Sequence, residues 1–97
     1  MTGMSARVVI PGVLRDLAGG AHELTVDLTE PVSLGEVLDG AFEPWPILNS
    51  RIRDERGDIR RHVNVFVDGA DAKRAQGVQT PVGPASTVHV INAVSGG

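Results

Sequence analysis

Cysteine is missing from the whole 97-residue chain. Disulfides, thiolate metal ligands and a cysteine nucleophile are therefore excluded, and any sulfur chemistry must use an atom outside a cysteine side chain. Aromatic residues make up only 3% of the chain, with no tyrosine, and the net charge is −3. A surface that interleaves cations with stacking rings, as a nucleic-acid groove does, is not expected. Long apolar runs are lacking too. The opening MTGMSARVVI has no stretch suited to a signal peptide or a membrane span, so a soluble, cytoplasmic protein without membrane contact is the expectation.

The chain does hold enough apolar residues, 41%, for one modest core and one domain. ARVVIPGVL reads as a first strand with Val8 and Ile10 on one face and Val9 on the other, and HELTVDLT alternates Leu24, Val26 and Leu28 with polar neighbours. Gly19 and Gly20 between them suggest a hairpin. The period then changes: Leu34, Val37, Leu38, Ala41 and Phe42 form one helical stripe, opened by a capping box of Ser33 and Glu36 and stopped by Pro44 and Pro46. Residues 43–61 are polar and irregular, with WPILNS able to form a short helical turn that tucks in Trp45, Ile47 or Leu48.

HVNVFVDG is a strong strand signal with Val63, Val65 and Val67 on one face and an Asp68-Gly69 turn. A short edge strand is expected around 70–75, then a loop with Gly77, Pro81, Gly83 and Pro84, then a last strand, STVHVINAV, with Val88 and Val90 inward. This order predicts an α+β, β-grasp domain over residues 1–93. One main helix would pack across one face of a mixed sheet of four to five strands, with the first and last strands side by side at its centre. Residues 94–97 would form a C-terminal tail.

Two surfaces carry the functional expectation. The sequence closes on INAVSGG, and a diglycine of this kind is either a frayed end or a chemical handle. On the outer face of the sheet, alternation brings Val9, Phe66, His89 and Ile91 together as a candidate partner-binding patch, unless Phe66 is covered by the long loop or stands as a single exposed apolar residue. The histidines His22, His62 and His89 lack ligand spacing, so no metal site is expected. Asp16, Asp27, Asp39, Asp68 and Asp71 are dispersed, and no catalytic residue is assigned. The arginines 51, 53, 56, 60 and 61 alternate with Asp54, Glu55 and Asp58 and read as a solvated loop.

With IPGVLRDLAGG, RRHVNVFVDG and INAVSGG in that order, nearly the whole chain resembles the ThiS/MoaD family of ubiquitin-like sulfur carriers. Within that family it is most similar to the carrier type of actinobacterial cysteine biosynthesis. It departs from many members in reading GPAST before the last strand and INAV ahead of the tail. The resemblance implies that the carboxylate of Gly97 is adenylated by a ubiquitin-activating-type adenylyltransferase using ATP, then converted by a sulfur donor into a thiocarboxylate. Val94, Ser95 and Gly96 would form the narrow tail that enters the partner. The carrier would bind no cofactor and act as no enzyme. Its sulfur would pass to a pyridoxal-phosphate cysteine synthase, with a peptidase releasing the product. Molybdopterin or thiamine synthesis, modification of protein lysines, and a non-covalent interaction module are the competing readings.

Overall fold

The computed structural model describes residues 4–92. Strands β1 (Met4–Val9), β2 (Glu23–Leu28), β7 (Thr87–Asn92), β4 (Val63–Val67) and β5 (Ala70–Asp71) form one mixed sheet in the order β2-β1-β7-β4-β5. The first and last long strands are parallel neighbours at its centre, with Val8 opposite Val88, and every other pairing is antiparallel. One face of this sheet is apolar. Ala6, Val8, Val63, Val65, Val67, Val88 and Val90 are buried there because side chains alternate along each strand.

Helix α1 (Leu34–Ala41) supplies the other half of the core through Leu34, Val37, Leu38 and Ala41, followed by Phe42, all buried. Each fully buried aliphatic side chain contributes roughly 1.5–3 kcal/mol, and this stripe is what holds helix and sheet together. The helix starts at Ser33, whose Oγ accepts the Glu36 N–H at 3.2 Å. The return arm of the box differs from the expected one: the Ser33 hydroxyl donates to Glu36 Oε1 at 3.3 Å. A further N-terminal amide, that of Leu34, donates to the Thr80 carbonyl at 2.8 Å.

Four expectations change in detail. Between β1 and β2 the chain forms a 3-10 segment, Gly12–Ala18, closed by Gly19 at φ 65, in place of a tight hairpin. The reason is that Leu14 and Ala18, four residues apart, carry a buried face of their own. The edge strand is two residues long, because Ala72 turns into the core and starts a 3-10 turn, Ala72–Arg74, capped by Asp71. The following loop contributes strand β6 (Pro81–Val82), which pairs with β3 (Val32–Ser33) as a separate small ribbon. WPILNS extends into a second helix, α2 (Pro46–Ile52), that buries Leu48 and Ile52 at a four-residue spacing, while Ile47 stays half exposed and Trp45 packs partly against the core.

The arginine-rich loop is also less uniform than its composition suggests. Arg53 keeps only 15% of its side chain exposed. Its Nε donates to the Gly57 carbonyl at 2.8 Å, and its Nη1 donates to Asp39 Oδ1 at 2.6 Å and to the Gly35 carbonyl at 3.3 Å. A guanidinium can bridge a loop and a helix in this way because its donors fan out in one plane. Gly57 sits at φ +90, which favours glycine by backbone, and a Cβ there would press on Arg53 Nη2 at 3.2 Å.

Candidate functional site

The outer face of the sheet is built by the residues that alternate with the buried valines. Register alone aligns one row across all five strands: Glu23, Val9, His89, Phe66 and Asp71. Side chains directly opposite on neighbouring strands lie about 4.5–5.5 Å apart at Cβ, so Val9, His89 and Phe66 form a continuous strip. Ile91, opposite Asn64, extends that strip toward the end of β7. Val9 and Phe66 are half-buried, His89 is exposed, and Ile91 keeps 47% of its surface in water. The four patch residues thus lie on one face, and Phe66 is neither sealed by the loop nor isolated.

The strip is bounded by charge. Glu23 and Asp71 stand at its two ends, and Arg7, in the next row between Thr25 and Thr87, has its guanidinium 3.8 Å from Glu23. An apolar centre with a polar rim suits transient association with another protein surface.

The tail residues Val94, Ser95, Gly96 and Gly97 lie outside the described residues. The last described residue of β7, Asn92, pairs with Val63 at the start of β4. His22 and His62 are exposed and far apart in the sequence from His89, and no group of three potential ligands able to hold a metal occurs among the described residues.

Most of the dispersed carboxylates have structural partners. Asp27 accepts from Ser5 Oγ at 2.8 Å, Asp39 from Arg53 and from Asn49 Nδ2, and Asp71 from the Lys73 N–H. Asp68, like Asp39, accepts two: the Thr87 N–H at 2.9 Å and the Ser86 hydroxyl at 2.8 Å. Sequence reasoning identified its turn but missed this link, since nothing in GPAST marks Ser86 as its partner. A groove of about 370 Å³ is lined by residues such as Asp39, Asn49 and Arg53, which the same bonds join to one another.

Comparison with known proteins agrees with this geometry. A model of the ThiS family matches residues 8–97. The sulfur carrier protein CysO of Mycobacterium tuberculosis is 27% identical over 96 residues, covering 97% of this chain and all of that protein. A chain in the crystal structure of the Amycolatopsis orientalis BexX/CysO complex superposes with a TM-score of 0.81 at 26% identity, over 95% of this chain and 99% of that one. Crystalline SAMP1 from Haloferax volcanii shares the fold with a TM-score of 0.78 at 24% identity, over 96% and 99% of the two chains.

Proposed function

Because the chain belongs to the ThiS family, we propose that it is a sulfur carrier whose Gly97 bears the transferable sulfur. The observation that carries this reading is the family match running through Ser95, Gly96 and Gly97 on a β-grasp domain with an open apolar strip. In the reaction, the ionised Gly97 carboxylate attacks the α-phosphate of ATP held by an adenylyltransferase, and pyrophosphate leaves. A carboxylate with a reference pKa of about 3.5 is fully anionic for this step. A sulfur nucleophile from the donor then attacks the acyl carbon and displaces AMP, leaving a thiocarboxylate. Gly96 and Gly97 have no Cβ, which lets the tail thread a narrow channel that side chains would block. The domain supplies an address and an arm, and its partners supply the catalytic groups and exclude water from the activated acyl group.

The likeness to CysO supports a cysteine synthase as the acceptor. The anionic sulfur adds to the electrophilic carbon of an aminoacrylate on a pyridoxal-phosphate cysteine synthase. An S-to-N acyl shift then places cysteine in amide linkage to Gly97, and a peptidase releases it. All of these steps belong to an ATP-containing compartment, the cytoplasm.

Incubation with the host's adenylyltransferase, ATP and a sulfur source should produce the oxygen-to-sulfur mass increment on the C-terminal peptide. Deleting Gly97 should abolish it while leaving the melting temperature nearly unchanged, since chain ends add little packing. Normal loading of the deletion variant would overturn the proposal. With O-phosphoserine and the candidate synthase, a C-terminal cysteine adduct is expected; sulfur recovered only in molybdopterin or thiazole would reassign the acceptor.

A further inference from the structure

Near Asn92, the last described residue of β7, the fold gathers basic side chains from the end of α2 and the loop that leads to β4. Ser50 and Arg51 at the end of α2, Arg60 in the following loop and His62 just before β4 line an open notch of about 340 Å³ that has no carboxylate in its wall. Arg60 is held in place by its Nε donating to the Ser50 carbonyl at 2.8 Å. The side chains of Arg51 and His62 make no hydrogen bond or ion pair among the described residues, whereas Arg7, Arg53 and Arg56 each lie within ion-pair distance of a carboxylate. Arg61 and Lys73 add charge nearby, Lys73 Nζ donating to the Arg61 carbonyl at 2.9 Å. In a chain of net charge −3, this is a local positive field, offset on one side by Asp54, whose carboxylate interacts with Arg60, and open at Arg51.

We infer that this notch docks an acidic surface of the protein that takes up the C-terminal tail. The inference rests on the sulfur-carrier reading and adds the chemistry of the partner. Its position supports a protein partner: His62 precedes Val63, and Val63 faces Asn92. Five residues follow Asn92 up to and including Gly97, and at roughly 3.3–3.6 Å each they reach at most about 18 Å. A protein that holds Gly97 must therefore come within about 18 Å of this edge of the domain, where its carboxylates would meet exposed Arg51 and half-buried Arg60. Such pairs steer encounter and fix orientation, and their effect falls with salt.

The test measures association of the intact carrier with the host's adenylyltransferase from low to high salt. Arg51→Glu/His62→Glu should weaken binding by about 10- to 100-fold at low salt and flatten the salt dependence, with an unchanged melting curve. Arg51→Lys/His62→Lys should bind like the wild type. Unchanged affinity and salt slope in the charge-reversed variant, or failure of the lysine variant to retain binding while still folded, would overturn the proposal. Loss of ATP binding by the isolated carrier with protein association intact would also overturn it, because the notch would then be a nucleotide site. Failure of the tail reading looks different: the wild type would bind its partner in a salt-dependent way yet never acquire sulfur.

Discussion

The two ends of the central strand β7 are held by different chemistry. At its start, Thr87 exchanges both of its backbone groups with Asp68, donating to the carboxylate and accepting from the Asp68 N–H, each at 2.9 Å. Ser86 donates to the same carboxylate, accepts the Gly83 N–H at 3.0 Å, and offers its carbonyl to Arg7 at 2.9 Å. Asp68 itself sits at φ 50 and Gly69 at φ 89, a turn in which an aspartate is tolerated and β-branched residues are not. At the other end, Asn92 has its ladder partner Val63, and its neighbourhood holds half-exposed Ile91 and the notch lined by Arg51, Arg60 and His62. One strand thus joins an anchor to a presenting edge. On the docking proposed above, stability and recognition are built at opposite ends of one element, and substitutions should separate them.

The largest expected effect is at the anchor. Asp68→Ala removes two hydrogen bonds to a carboxylate and puts alanine at a positive φ, so stability should fall by about 2–3 kcal/mol. Urea unfolding measures this, and partner affinity of the folded fraction should stay at the wild-type value. A stable variant with weakened association would break the comparison, because the anchor would then be part of the recognition surface.

Next in size is the opposite experiment on the outer strip. Phe66→Asp should lower affinity for the activating enzyme or the sulfur acceptor by about 1–3 kcal/mol, the range for losing an apolar anchor at an interface, with the fold retained. The half-burial of Phe66 makes the melting curve a necessary companion. Gross unfolding would place Phe66 in the core and assign the strip to stability.

How far the sequence could reach follows from the range of each interaction. The alternation of Val63, Val65 and Val67, the stripe of α1 and the Ser33 arm of the cap are local patterns, and the structure repeats them; only the Glu36 arm of the cap differs. The patch was legible for the same reason, since knowing which valines go inward fixes where Val9, Phe66, His89 and Ile91 must point. Contacts between distant segments were not legible. The Asp68–Ser86 pair spans 18 residues and the Arg53–Asp39 pair 14, and neither has a sequence period to betray it. Arg53 and Arg51 read alike in a charged run, yet one is clamped under a loop and the other faces water, because only one lies within reach of Asp39 and the Gly35 and Gly57 carbonyls.

The smallest expected effect comes from that loop and sharpens the comparison by showing what a local, exposed anchor contributes. Partial desolvation acts to raise the pKa of Asp54, but the backbone N–H groups of Asp58 and Arg56, at 3.0 and 2.9 Å, together with the charges of Arg56 and Arg60, outweigh it and hold the carboxyl below its ordinary value of 3.8. The folded state therefore prefers the ionised form. Its stabilising contribution is complete above the unfolded-state value near 4 and is lost as pH falls through the lower folded value, so nothing should change between pH 7 and 5. An NMR titration of the Asp54 carboxyl carbon should give a midpoint below 3.8, and amide exchange at Arg56 and Asp58 should accelerate only in that acid range. Asp54→Asn keeps an acceptor oxygen but removes the charge, and it should erase the acid dependence while leaving the Asp68 anchor and association through the strip unaffected. A midpoint at or above the ordinary carboxylate value would show that water, rather than these two amides, sets the energetics of the loop.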